Sequence, residues 1–258
     1  MIAFRKIRNE GIERLQFPFI QYRKGQRKLA VGCFQAIKEG KDLLAEAPTG
    51  IGKTMSTLFP AVKTMGEDYI DKIFYLTARS TTKEAANKAL YHLTDRGLRI
   101  KSITLTAKEK ICLNNEVKCN PEDCPFAKGH FDRVNDAILE IYEEEDLLHV
   151  ETILDYAKKH KVCPMEFQLD LSIYSDVVIC DYNYVFDPQI YLRRFFENNL
   201  DRYVFLVDEA HNLVDRGRNM YSAAIEKEKI EEILHTDGED KTLLKILKSL
   251  HFLEEHIE

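Results

Sequence analysis

Glu46-Ala47-Pro48-Thr49-Gly50-Ile51-Gly52-Lys53-Thr54 decides the reading of this chain. A Gly-rich turn lets backbone N–H groups converge on phosphate oxygens. A lysine at its end reaches the β/γ-phosphates, and the following hydroxyl ligates Mg²⁺. Ala47 stands where the usual loop begins with Gly; Pro48, Thr49, Gly50, Ile51, Gly52, Lys53 and Thr54 keep the pattern. Far downstream, Tyr203-Val204-Phe205-Leu206-Val207 runs into Asp208-Glu209-Ala210-His211. An Asp at the end of an apolar strand holds Mg²⁺, and a Glu beside it orients an attacking water. The two motifs in this order point to ATP hydrolysis. A glycine turn and an unrelated acidic patch is the plainer alternative.

The elements around the loop fit it. Lys24–Lys38 carries Leu29, Cys33, Phe34 and Ile37 on one stripe and is predicted helical. Asp42–Glu46 is predicted as a strand and Lys53–Met65 as the helix whose N-terminus faces the phosphates. Further strands are expected at Lys72–Thr77, Ser102–Thr106, Asp176–Cys180 and Tyr203–Val207, with a helix at Thr81–Leu93. Short, nearly continuous apolar strands between helices predict an α/β fold with a parallel sheet covered on both faces. The ligand is then expected at the carboxyl ends of the strands.

Residues 107–172 interrupt the alternation, with helical stretches at Val134–Glu143 and Glu151–His160. Residues 220–258 turn helical and charged (Ala224–Leu234, Leu243–Glu258). The expected division is 1–106 with 173–219, an insertion at 107–172, and a helical segment at 220–258. Four cysteines lie in the insertion: Cys112, Cys119, Cys124 and Cys163, with six, four and thirty-eight residues between them. Clustered cysteines in a reducing compartment point to metal rather than disulfides. The spacing alone leaves iron and zinc open. Cys33 and Cys180 lie in apolar patterns and read as core.

The chain has 258 residues, 45% hydrophobic and 31% charged, with a net charge of −6. That length buries a real core. No apolar run reaches the twenty or so residues of a membrane helix, and the N-terminus lacks a secretion signal, so no membrane partner and a cytosolic compartment are expected. The net charge excludes a protein coated in positive charge, but not a local basic track. Residues 1–41 hold ten basic side chains against three acidic ones, and read equally as such a track or as a solvated helix face.

Taken together, the chain resembles an iron–sulfur superfamily-two DNA helicase of the DinG/XPD type. The likeness rests on Ala47–Thr54, on Tyr75-Leu76-Thr77-Ala78-Arg79-Ser80, on the four cysteines, on Asp176–Tyr184 and on Val207–Asn212. It implies a RecA-like ATP-binding lobe interrupted by an iron–sulfur insertion and followed by the start of a helical arch. It implies iron over zinc, with Cys112, Cys119, Cys124 and Cys163 holding a 4Fe-4S cluster. Lys53 and Thr54 match the phosphate and Mg²⁺ positions, Asp208 the Mg²⁺-organising acid, Glu209 the general base, and His211 the residue coupling nucleotide to motor. Tyr22, Arg23 and Gln26 match the segment at the adenine end. Thr77, Arg79 and Ser80 match the loop that touches single-stranded DNA, and Tyr182, Asn183 and Tyr184 match positions near that strand, where aromatic faces stack on bases; for the tyrosines, ordinary packing at a strand end is the equal alternative. ATP-driven 5′→3′ unwinding of single-stranded or forked DNA is the implied activity. A second motor lobe, expected in a full-length protein, is not in this sequence. A nucleotide-independent nucleic-acid-binding module and a zinc-stabilised ATPase switch are the alternatives.

Overall fold

The computed structural model describes residues 2–197, 201–224, 226, 228, 229, 232 and 241–256. They divide into two compact units, Met1–Val214 and Asp215–Glu258.

The first unit is built on a parallel sheet of five strands among the described residues: β1 (Lys72–Leu76), β2 (Ser102–Thr104), β3 (Leu147–Leu148), β4 (Val177–Cys180) and β5 (Tyr203–Val207). Their order is β3-β2-β4-β1-β5. Every residue of β1 and of β4 is buried. Both are runs of β-branched and aromatic side chains, which pack on a sheet covered on both faces. The register sets Tyr75 beside Ile179 on one side and Leu206 on the other. Two expectations hold here: the fold class is α/β, and the sheet is parallel.

Helices α1 (Ile2–Arg14), α2 (Gln26–Glu39), α3 (Lys53–Gly66) and α4 (Ser80–Thr94) supply the main core. Leu58, Val62 and Met65 of α3 and Leu90 and Leu93 of α4 meet Ile73, Tyr75 and Ile179 of the sheet. The opposite face carries an aromatic cluster: Phe74 touches Phe195, Phe196, Tyr203 and Phe205. Phe195 and Phe196 lie on the short α10 (Arg193–Phe196), which follows α9 (Asn183–Phe186). Between β2 and β4 come α5 (Lys108–Ile111), α6 (His130–Glu144), α7 (Val150–His160) and α8 (Pro164–Tyr174). β3 lies in this interval yet pairs with β2, so residues 107–172 contribute to the main sheet.

One expected strand does not form. Asp42–Glu46 joins no ladder, and Leu44 is 95% exposed. Apolar side chains favour a strand only when a neighbouring strand takes up the backbone groups. β5 is the sheet edge on that side, and a cleft of about 1010 Å³ separates it from Leu43 and Leu44.

The amino ends of the strands are tied by buried charges. Asp176 accepts from Arg8 Nη1 and, at 2.9 Å, from the Lys101 backbone N–H. Lys101 Nζ pairs with Asp146 Oδ1 at 2.9 Å and lies over the Phe4 and Tyr142 rings. Lys72 Nζ donates to the Ser172 and Ile173 carbonyls at the end of α8. Arg8 was counted in the basic segment; it is buried in α1 and serves the fold.

The second unit contains a helix at Lys241–His256. The expected helix at Ala224–Leu234 falls largely outside the described residues.

Burying Asp176 without Arg8 leaves an under-compensated charge. Arg8→Ala is expected to destabilise the first unit by about 3 kcal/mol in urea unfolding. A loss under about 1 kcal/mol would show that the pair is screened by solvent.

Candidate functional site

The phosphate loop turns into α3 through glycines in the left-handed region: Gly50 has φ 80° and Gly52 φ 85°. A Cβ at Gly52 would lie 2.5 Å from Gln26 Nε2 as well, so glycine is required there twice over. α3 begins at Lys53, which aims free N–H groups of its first turn out of the loop.

β5 delivers the acidic pair to the same place. Its register with β1 sets Val207 beside Leu76, and the Asp208 N–H donates to the Leu76 carbonyl at 2.9 Å. Asp208 and Glu209 thus leave the sheet next to Lys53 and Thr54. Lys53 Nζ pairs with Glu209 Oε1 at 2.8 Å across 156 residues of sequence. His211 lies 3.5 Å from the other Glu209 oxygen and is mostly exposed.

Two tyrosines brace this corner. Tyr75, 1% exposed, donates to Thr54 Oγ1 at 3.4 Å and also bonds the Asp208 carboxylate. Tyr182 donates to the Asp208 carbonyl and, at 3.2 Å, to that of Glu209. Glu209 itself is held left-handed at φ 51°, and Asn212 donates to its carbonyl at 3.0 Å from both the backbone and the side chain. A non-glycine residue in that region is strained, and these bonds hold it there.

The two carboxyls sit in different electrostatic surroundings. Burial is the main cause that raises Asp208 above the ordinary aspartate value; the bond from Tyr75 opposes it. The hydrogen bond and charge of Lys53 hold Glu209 below the ordinary glutamate value. Arg79, at the start of α4, acts on Glu209 in the same direction.

The residues matched to the adenine end brace the loop in this state. Arg23 Nη1 donates to the Gly50 carbonyl. Gln26 is buried; its Oε1 accepts the Arg23 N–H at 2.9 Å and its Nε2 lies 3.5 Å from the Gly52 carbonyl. Tyr22 stacks on Phe17 with centroids 3.9 Å apart. The donor set fits a Mg²⁺–nucleotide: loop N–H groups and Lys53 for phosphate, and Thr54 with Asp208 for the metal.

The residues matched to DNA divide. Arg79 and Ser80 are exposed at the start of α4. Thr77 is 2% exposed and bonds Thr82, so it shapes the turn instead of lining a surface. Tyr182 is a correction: it is fully buried and its hydroxyl serves the Asp208–Glu209 corner, so no ring face is free for a base. Asn183 is half-buried, with its Oδ1 buried and without a partner. Tyr184 points its hydroxyl to the Thr106 carbonyl at 3.4 Å.

The four insertion cysteines lie on α5, on the loop after it and at the start of α8. Cys112 caps the end of α5, and the exposed Cys119 raises the pKa of Lys108 on the same helix. Asn114 Nδ2 donates to Cys124 Sγ at 3.0 Å. Cys163 precedes Pro164 as the N-cap of α8; burial raises its thiol, and the Glu166 and Met165 N–H groups oppose this. Cations and N–H donors around sulfur are what thiolate ligands need, so the donor set fits a metal–sulfur group. Among the described residues, no three His, Cys, Asp or Glu side chains converge on one ion. Cys33 and Cys180 are buried with thiols pushed up to about 12, as core residues are.

A sequence model described as DEAD_2 matches residues 79–230, more than half of the chain. The chain belongs to the DEAD_2 family, the XPD/DinG type of superfamily-two helicase. Among curated relatives, the regulator of telomere elongation helicase 1 homolog of Caenorhabditis briggsae is 23% identical over 244 residues, covering 77% of this chain and 24% of that protein. The human regulator of telomere elongation helicase 1 is 23% identical over 251 residues, 77% of this chain and 20% of that protein. The Fanconi anemia group J protein homolog of Gallus gallus is 38% identical over 76 residues, 30% of this chain and 6% of that protein. The chain thus spans about a quarter or less of the length of these relatives. Two solved structures share the fold. One titled XPD_Helicase has a TM-score of 0.61 at 22% identity, covering 90% of this chain and 41% of that one. One titled Truncated XPD has a TM-score of 0.59 at 21% identity, covering 87% and 64%. No helix among the described residues is long and apolar enough to cross a membrane.

In this DEAD_2 chain, sequence reading missed Tyr75 as a brace of Thr54 and Asp208. The available signal was a tyrosine inside an otherwise apolar buried strand, whose hydroxyl must find a partner.

The Lys53–Glu209 pair predicts a titration. The stability it contributes is present above the unfolded glutamate pKa and is lost as pH falls through the lowered folded value. In carbon-detected NMR of the nucleotide-free chain, Glu209 should titrate below the ordinary glutamate value, and Lys53→Ala should move it back up. A Glu209 midpoint unchanged in that variant would contradict the pair.

Proposed function

We propose that this chain is the ATP-binding first motor lobe of a DNA helicase that unwinds DNA in the 5′→3′ direction. One observation carries the reading most: Lys53 and Thr54 at the start of α3 meet Asp208 and Glu209 at the end of β5. Neither motif alone would require the other beside it.

Bound Mg²⁺ supplies charge neutralisation for the phosphates. Lys53 binds the β/γ-phosphates and must leave Glu209 to do so. Glu209, freed of its ion pair, accepts a proton from the attacking water. Asp208 and Thr54 hold the metal, and Tyr75 fixes both from beneath. His211, beside Glu209 and exposed, is placed to pass the state of the nucleotide outward. Arg79 and Ser80 contact the single-strand backbone, where a guanidinium reads charge and not sequence. Arg79 also acts on Glu209, which links the strand-contacting turn to the catalytic base.

Cys112, Cys119, Cys124 and Cys163 would hold a 4Fe-4S cluster. Its proposed role is structural, ordering residues 107–172 as a wedge against the duplex, with 220–258 as the start of an arch. The full-length protein would carry a second lobe supplying the arginines that stabilise charge on the γ-phosphate, worth orders of magnitude in rate. It would act in the cytosol, in DNA repair or replication. This chain alone would bind ATP weakly and unwind nothing.

The test is a strand-separation assay on the longest natural form, using a forked DNA. Lys53→Ala should abolish unwinding, and retained unwinding would sink the mechanism. Single-strand binding indifferent to ATP would instead favour a nucleic-acid-binding module. Separately, Cys119→Ser should lose metal and strand separation while ATP binding persists. Loss of ATP binding in that variant would count against a structural cluster.

A further inference from the structure

Cys163 is remote in sequence from the other three insertion cysteines, and two side chains at the start of α6 bring it to them. His130 is the first residue of α6 and Arg133 lies one turn on. The Cys163 backbone N–H donates to His130 Nδ1 at 3.2 Å. Arg133 Nε donates to the His160 carbonyl at 3.0 Å, and its Nη2 to the Lys161 carbonyl at 2.5 Å. These carbonyls lie two and three residues before Cys163. The same Nη2 donates to the Lys128 carbonyl at 2.7 Å. Lys128 in turn donates its N–H to the Cys124 carbonyl at 3.0 Å. Arg133 is therefore a staple between the Cys124 turn and the segment entering Cys163. Gly129 makes room for it: it has φ 67°, and a Cβ there would lie 2.5 Å from Arg133 Nη1.

A second observation points to a ligand. His130 is 3% exposed, and its Nε2 is buried without a protein partner. Because Nδ1 accepts from Cys163, a neutral ring carries its proton on Nε2. A buried N–H without an acceptor costs free energy. Hydrogen bonds to the sulfurs of a metal–sulfur centre are one of the levers that set its potential.

We propose that His130 and Arg133 are positioning residues: they hold Cys163 against the Cys124 turn, and the His130 Nε2–H, which bonds none of the cysteine sulfurs, donates to an inorganic sulfide of the centre that the four cysteines hold. This rests on the reading of those cysteines as ligands. His130 is not a ligand in this scheme. It acts through Cys163 and through a hydrogen bond that tunes the centre.

The chain is reconstituted anaerobically with ferrous iron and sulfide, as wild type, His130→Phe, His130→Asn and Arg133→Met. Iron per chain, the rate of iron loss to a chelator and the reduction potential are measured, with circular dichroism confirming the fold. The wild type should load. His130→Phe and Arg133→Met should lose iron about 10- to 100-fold faster. His130→Asn keeps an acceptor at the Nδ1 position and lacks the Nε2 donor. It should retain iron like the wild type but shift in potential. A loaded wild type with His130→Phe equally retentive overturns the inference alone. A folded His130→Asn with an unshifted potential overturns the role of Nε2. A wild type that takes up no iron or sulfide overturns the reading of the cysteines, and the inference with it.

Discussion

The pairing of β5 with β1 is the constraint on which the site depends. Leu76 and Val207 lie side by side, so both strands end together and the Asp208 N–H closes on the Leu76 carbonyl. Side chains alternate with a period of two along a strand, so a slip of one residue would turn Asp208 to the other face. Burial fixes the register. Leu206 and Val204 face the core shared with Ile73 and Tyr75, while Phe205 stacks on Phe74 across the sheet. The apolar pattern of the strand therefore sets the position of the acid that follows it.

That corner is pre-formed but closed. Lys53 is held by Glu209, Arg23 and Gln26 hold the loop backbone, and Tyr182 holds the carbonyls of the acidic pair. Of these bonds, the Lys53–Glu209 pair occupies a group suited to phosphate. Under the proposed function, nucleotide would take Lys53 from Glu209, and the ion pair would then gate the proposed base as well as being a structural contact. The exposed Arg79 acts electrostatically on Glu209 from the start of α4.

Most of the motor lobe was legible because its signals are local. Gly50 and Gly52 announce a left-handed turn, Lys53 and Thr54 a helix start, and the apolar runs at 72–76, 177–180 and 203–207 the buried strands. The strand at Asp42–Glu46 was misread because its apolar residues need a neighbour alongside, and pattern cannot say whether one is there. For Tyr182, sequence left base stacking and strand-end packing equally open; its partner, the Asp208 carbonyl, lies 26 residues on and is set by the fold alone. α1 was read only as charge, and its buried Ile12 and Arg8, with Leu15 just after it, emerge when the sheet floor supplies Asp176. The link from His130 to Cys163 spans 33 residues and carries no sequence signature.

The proposed function requires nucleotide to occupy the site between Lys53 and Asp208. The most direct test is calorimetric titration of the 258-residue chain with ATP, with and without Mg²⁺, beside Lys53→Ala. Saturable binding is expected that weakens without Mg²⁺ and falls about tenfold or more in Lys53→Ala, the loss of one charge-assisted contact. A folded wild type that does not bind, or a Lys53→Ala chain that binds as well as the wild type, would contradict it.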